Sequence, residues 1–153
     1  EISCSLVGSE MCIRDSCQME KQGEGSILNV ASSAGLFPAG PYMATYYATK
    51  SYVTSLTRAV ALELKEKKSN VYVGVLCPGP VDTEFNKVAN VEFAIPSITP
   101  TYCAAYAIRK MEKRKIVIVP KNKMKVLAFI SRVLPQSLVI RMTARQQKKK
   151  RSW

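Results

Sequence analysis

At 153 residues, 47% hydrophobic and 22% charged, the chain has the size and make-up of one globular unit able to bury a single core. Its mean hydropathy is −0.03, and no run of about 18 uncharged apolar residues occurs, which excludes a membrane-spanning helix within this sequence. A formal charge of +12 without a single histidine excludes Ser-His-Asp and Cys-His centres and most zinc sites, because these need imidazole or clustered thiolates.

The charge is segregated along the chain. From Arg109 to Trp153 there are 15 Lys and Arg against one acid, Glu112, whereas residues 1–108 hold 8 basic and 10 acidic residues. A nearly neutral body with a basic end suggests two physical jobs, or one job and an appendage. The cysteines (Cys4, Cys12, Cys17, Cys77 and Cys103) are odd in number and form no CxxC pair. That pattern fits a reducing, cytoplasmic compartment better than a disulfide framework.

In chain order, residues 1–18 show no helical or strand period, and residues 5–16 (SLVGSEMCIRDS) resemble the translation of a sequencing-library adapter. They are expected to be foreign to the fold or a disordered leader. Gly23-Glu24-Gly25 marks a turn, and Ser26–Ser32 (SILNVAS) reads as a buried strand. A loop with Gly35, Pro38, Gly40 and Pro41 follows. Apolar residues at Val53, Leu56, Val60 and Leu64 then predict a helix over 43–68, ending in lysines that suit its negative pole. Val71–Cys77 (VYVGVLC) is apolar without alternation, as expected of a strand covered on both faces of a parallel sheet.

Strand, helix and strand make a right-handed βαβ unit. Further helices are predicted over 101–114, 124–134 and 137–147, with a short strand over 116–119. The fold class is α/β. Residues 19–122 form the sheet-bearing domain, and 123–153 a basic helical tail. In such sheets ligands bind beyond the carboxyl ends of the strands, which directs attention to Ser32-Ser33 and Pro78-Gly79.

Tyr46 and Lys50 share one helix face, about 6 Å apart along the axis. An ammonium there favours phenolate, so the pair suits proton exchange with a carbonyl or alcohol oxygen. A chain with 7 Tyr supplies roughly one Tyr-x-x-x-Lys pair by chance, and Tyr106–Lys110 is a second. That second pair follows no strand and reads as helix surface. The Tyr46 pair has context on both sides.

With Ile27-Leu-Asn-Val-Ala-Ser32-Ser33-Ala-Gly35, Tyr46-Tyr-Ala-Thr-Lys50 and Cys77-Pro-Gly-Pro-Val-Asp-Thr83 in this order, the chain resembles the C-terminal part of a short-chain dehydrogenase/reductase. The resemblance implies part of a Rossmann-type doubly wound sheet and an NAD- or NADP-dependent carbonyl–alcohol oxidoreductase. It gives Tyr46 the role of general acid/base. Lys50 would support Tyr46 and bind the nicotinamide ribose. Ser32 would polarise the carbonyl, with Ser33 as the alternative when the loop is counted by the commoner family spacing. Pro78, Gly79, Val81 and Thr83 would contact the nicotinamide. It also implies a homodimer or homotetramer. Residues 84–98, with Phe85, Phe93 and Ile95, would cover a ketone, an aldehyde or a 3-oxoacyl group, and Asp82, Glu84 and Glu92 are expected to be solvated rather than metal-binding.

The pattern departs from the family upstream. No Gly-x-x-x-Gly-x-Gly turn and no Asn-Asn-Ala-Gly segment is present, so a truncated, inactive piece of a longer enzyme is expected. The tail leaves three readings open. It packs on the sheet and a neighbouring subunit, lies on an anionic membrane surface, or binds nucleic acid through Lys148–Arg151; the last lacks an accompanying aromatic series. A non-enzymatic half-domain acting through this tail is the alternative function.

Overall fold

The computed structural model describes residues 3–83 and 96–150. Phe85, Phe93, Ile95, Glu84 and Glu92 therefore lie outside the described residues. The elements are α1 (Ser3–Gln22), β1 (Gly25–Val30), a 3-10 turn (Ser33–Leu36), α2 (Ala44–Glu66) and β2 (Val71–Leu76). Then come α3 (Pro100–Glu112), β3 (Val117–Ile118), α4 (Asn122–Val133) and α5 (Gln136–Lys150).

The sheet is parallel, in the order β1-β2-β3. Gly25 stands opposite Val71 and Val30 opposite Leu76, while Val75 and Leu76 face Val117 and Ile118. β2 is buried at every position, which is why its sequence shows no alternation. Val71 and Val73 pack with Val60, Ala61 and Leu64 of α2. On the opposite face Leu76 joins Ile118 and, from α3, Cys103 and Ala107. The α/β sandwich expected from the apolar run is thus the observed one. Each buried Val or Leu contributes about 1.5–3 kcal/mol of apolar transfer, so the middle strand is the strongest tie in the fold.

α2 lies flat on the sheet although two threonines face it. Thr54 Oγ1 donates to the Lys50 carbonyl at 2.8 Å and Thr57 Oγ1 to the Val53 carbonyl at 2.7 Å. Thr57 also accepts from Asn29 Nδ2 at 2.9 Å. Buried hydroxyls satisfied within their own helix leave nothing polar to desolvate against the strands. The helix ends where Lys68 takes a φ of 56°, the left-handed turn that stops α-helical bonding.

Helix α1 runs from Ser3 to Gln22, across residue 18, and its inner end joins the core. Ser16 is buried, Met19 packs against the α2–β2 cluster, and Glu20 meets Lys67 at 3.3 Å. Packing also runs across residue 123. Met124 belongs to one cluster with Ala31, Val75, Cys77 and Val119, because α4 turns straight back over the strand ends.

Candidate functional site

Parallel pairing brings the carboxyl ends of β1 and β2 to one edge, and two backbone bonds extend the pairing beyond the strands. Ala31 N donates to the Leu76 carbonyl at 2.9 Å and Ser33 N to the Pro78 carbonyl at 2.8 Å. Ser32 is thereby held beside Pro78-Gly79. It is buried and extended, and its Oγ accepts from Ala34 N at 3.2 Å as the cap of the 3-10 turn. A hydroxyl that accepts from the backbone keeps its own O–H free to donate.

That turn is pressed onto α2. A Cβ at Gly35 would collide with the Lys50 carbonyl and come within 2.7 Å of Thr54 Oγ1, so only glycine lets the serine-bearing turn approach this closely. The approach fixes Ser32 relative to the helix that carries Tyr46 and Lys50. Lys50 Nζ lies 5.9 Å from the centroid of the Tyr46 ring.

A cavity of about 380 Å³ opens at this edge. Of the residues singled out in sequence, Ser32, Ser33, Tyr46, Pro78, Gly79, Val81 and Thr83 all line it. Lys50 does not; it stands one helical turn behind Tyr46. Val81 is held by a parallel bridge to Ile98, with Asp82 N donating to the Ile98 carbonyl at 2.9 Å. Asp82 is exposed, and among the described residues no group of three His, Cys, Asp or Glu gathers. Tyr106 and Lys110 lie off the cavity, and Lys125 of α4 donates to the Tyr106 hydroxyl at 3.0 Å.

The opposite wall was not assigned from sequence. It comes from the tail: Met124, Leu127, Ile130 and Leu134 in and after α4, with Val139 and Met142 on α5. Their helical spacing is visible in the sequence, but nothing in that spacing says which cavity they face. α5 is anchored over the site at two points one turn apart. Thr143 Oγ1 donates to the Ala39 carbonyl at 3.0 Å, and Gln147 Nε2 donates to Tyr47 Oη at 3.0 Å. Gly40 permits this docking, since a Cβ there would strike the Tyr47 ring.

Tyr47 also lines the cavity and ties α2 to α5. Burial pushes its phenol above the ordinary value; the Gln147 bond pulls the other way and the neighbouring Tyr46 adds to the rise. It is a neutral tyrosine. Cys77, beneath the strand ends, is likewise pushed up by burial, offset by hydrogen bonds from Thr54, 3.7 Å away, and from the Ser32 backbone.

Comparison with known proteins agrees with this architecture. The short chain dehydrogenase family matches residues 2–92. D-beta-hydroxybutyrate dehydrogenase of Rhizobium meliloti (strain 1021) is 46% identical over 65 residues, covering 42% of this chain and 24% of the relative. The very-long-chain 3-oxoacyl-CoA reductase of Anas platyrhynchos is 26% identical over 134 residues, covering 88% of this chain and 41% of the relative. Among solved structures, a 7beta-hydroxysteroid dehydrogenase superposes with a TM-score of 0.73 at 23% identity, over 91% of this chain and 54% of that one. A short chain dehydrogenase/reductase of Burkholderia phymatum in complex with NAD gives 0.68 at 23% identity, over 81% and 53%. Likeness at this identity speaks for the fold. The chain spans a quarter to a half of the length of these proteins.

Proposed function

The chain belongs to the short-chain dehydrogenase family, and from that premise we propose that the full-length protein interconverts a carbonyl compound and an alcohol with NAD or NADP. The observation that carries the proposal is the gathering of Ser32 and Tyr46 at the strand ends, in one cavity, with the Lys50 ammonium one turn behind. The hydroxyls of Ser32, Tyr46 and Thr83 beside the Pro78-Gly79 turn fit the flat, polar end of a nicotinamide. Tyr46, Lys50, Pro78, Gly79, Val81 and Thr83 would hold it. When bound, the cofactor supplies the hydride.

In reduction, Ser32 donates its free O–H to the carbonyl oxygen and fixes the direction of the C=O bond. Tyr46 delivers a proton to that oxygen as negative charge builds on it, and takes one from the alcohol in the reverse direction. The Lys50 ammonium stabilises the charge left on Tyr46 Oη. The apolar wall of α4 and α5 excludes water and supports an apolar ketone, aldehyde or 3-oxoacyl substrate.

The 153 residues contain no Gly-rich pyrophosphate turn, so this chain alone is proposed to supply the nicotinamide side of the site and to be inactive by itself. Exposed Tyr52 and Leu62 on α2 suit pairing of two copies, and free Cys17, Cys77 and Cys103 suit a cytoplasmic setting. The test is an assay of the full-length protein with NADH and NADPH against a hydrophobic ketone, an aldehyde and a 3-oxoacyl thioester. Cofactor oxidation with at least one of them is expected, together with none by the isolated chain. No oxidation with any pair, by folded protein that binds the cofactor, would overturn the proposal.

A further inference from the structure

α4 has a buried side and, opposite it, an apolar side that nothing among the described residues covers. Met124, Ala128 and Ser131 form its buried side. On the opposite side Val126, Phe129 and Val133 are 56%, 69% and 72% exposed, at the i, i+3, i+7 spacing that makes one stripe. A helix of a globular protein normally turns polar residues to that side. Lys125 and Arg132 flank the stripe along one border and Lys123 lies along the other, all exposed. Beyond Glu112 the chain carries 13 Lys and Arg and no acid.

This charge decides what covers the stripe. A second copy paired tail to tail would bring one cationic surface against another, with no carboxylate beyond Glu112 in either to relieve the repulsion. Nucleic acid would satisfy the cations, but it offers Val126 and Val133 no apolar layer, and Phe129 alone makes no stacking series. A surface that offers anionic headgroups beside an apolar layer satisfies both parts. No described helix is long and apolar enough to cross a bilayer, so the contact is in the plane of the interface.

We infer that α4 docks on an anionic membrane surface, with Val126, Phe129 and Val133 inserted among the acyl chains and the flanking cations at headgroup level. Ile130, which is 43% exposed and adjoins the stripe, also lines the cavity. Docking therefore sets the cavity mouth at the bilayer, where an apolar substrate is concentrated. The docking itself does not depend on the redox reading.

The experiment is co-sedimentation of the full chain with vesicles of phosphatidylcholine alone and of phosphatidylcholine with phosphatidylglycerol. Binding only to the anionic vesicles is expected, falling as salt is raised from about 0.05 to about 0.5 M. Phe129→Ser with Val133→Ser, both surface changes, should weaken it at least about tenfold. Lys125→Gln with Arg132→Gln should weaken it by about fivefold per cation. No binding to anionic vesicles overturns the inference. So does binding that survives the Phe129/Val133 change and is lost when residues 148–151 are neutralised, which would leave the stripe without a role. Concentration-dependent self-association abolished by the same apolar pair would overturn it in favour of a second copy.

Discussion

The two walls of the cavity are held by different physics. The strand-end wall, from Ser32 to Gly35 and Pro78 to Thr83, is fixed by backbone hydrogen bonds continuing the sheet and by the close approach of Gly35 to α2. Its positions tolerate little movement. The α4–α5 wall is made of Met, Leu, Ile and Val side chains, pinned by Thr143–Ala39 and Gln147–Tyr47. Chemistry that needs atoms placed to a fraction of an ångström belongs on the first, and adaptable apolar recognition on the second.

The comparison breaks most severely at Gly35. Gly35→Val should cost about 3 kcal/mol or more, because the branched side chain must displace either the Lys50 carbonyl or the whole 3-10 turn. Chemical denaturation measures it, and a loss below about 1 kcal/mol would show that the turn yields freely. A smaller effect is expected on the other wall. Met142→Ala and Leu127→Ala, both partly exposed, should raise KM for an apolar substrate in the full-length enzyme about tenfold while leaving kcat nearly unchanged, as loss of uniform binding does. Equal losses in kcat would mean that this wall also positions the reacting group.

The smallest expected effect concerns thiols. Burial raises the Cys77 thiol and so leaves less thiolate at any given pH, whereas Cys17 is exposed. Iodoacetamide near pH 8 should therefore label Cys17 well before Cys77 in the native protein. Equal rates would indicate that the strand ends open readily.

The strand-end wall was legible in the sequence because its determinants are local: an apolar run ending in Ser32-Ser33, a Tyr-x-x-x-Lys pair, and a Pro-Gly turn after a second run. The sheet followed from the unalternated VYVGVL, buried throughout as expected. The second wall was not legible. Helical periodicity marks Met124, Leu127, Ser131 and Leu134 as a face, but the docking of α5 depends on contacts such as Gln147 with Tyr47, a hundred residues apart, and on a Gly40 that leaves room for a ring. For the same reason nothing in the sequence marks Tyr47 as the link between the two walls. Residues 1–18 carry no apolar period, so nothing in the sequence marks the helix that α1 forms, although Ser16 is buried and Met19 packs against the α2–β2 cluster.

Adjacent tyrosines offer the most direct test. Tyr46 faces the cavity from α2 with Lys50 behind it, while Tyr47, one residue on, is bound to Gln147 and kept neutral by burial. The measurement is kcat and cofactor Kd for Tyr46→Phe and Tyr47→Phe in the full-length enzyme. The account predicts a fall in kcat of about a thousandfold for Tyr46→Phe with Kd little changed, and a fall of no more than about threefold for Tyr47→Phe. Near-normal turnover by Tyr46→Phe, or a larger loss in Tyr47→Phe, would contradict it.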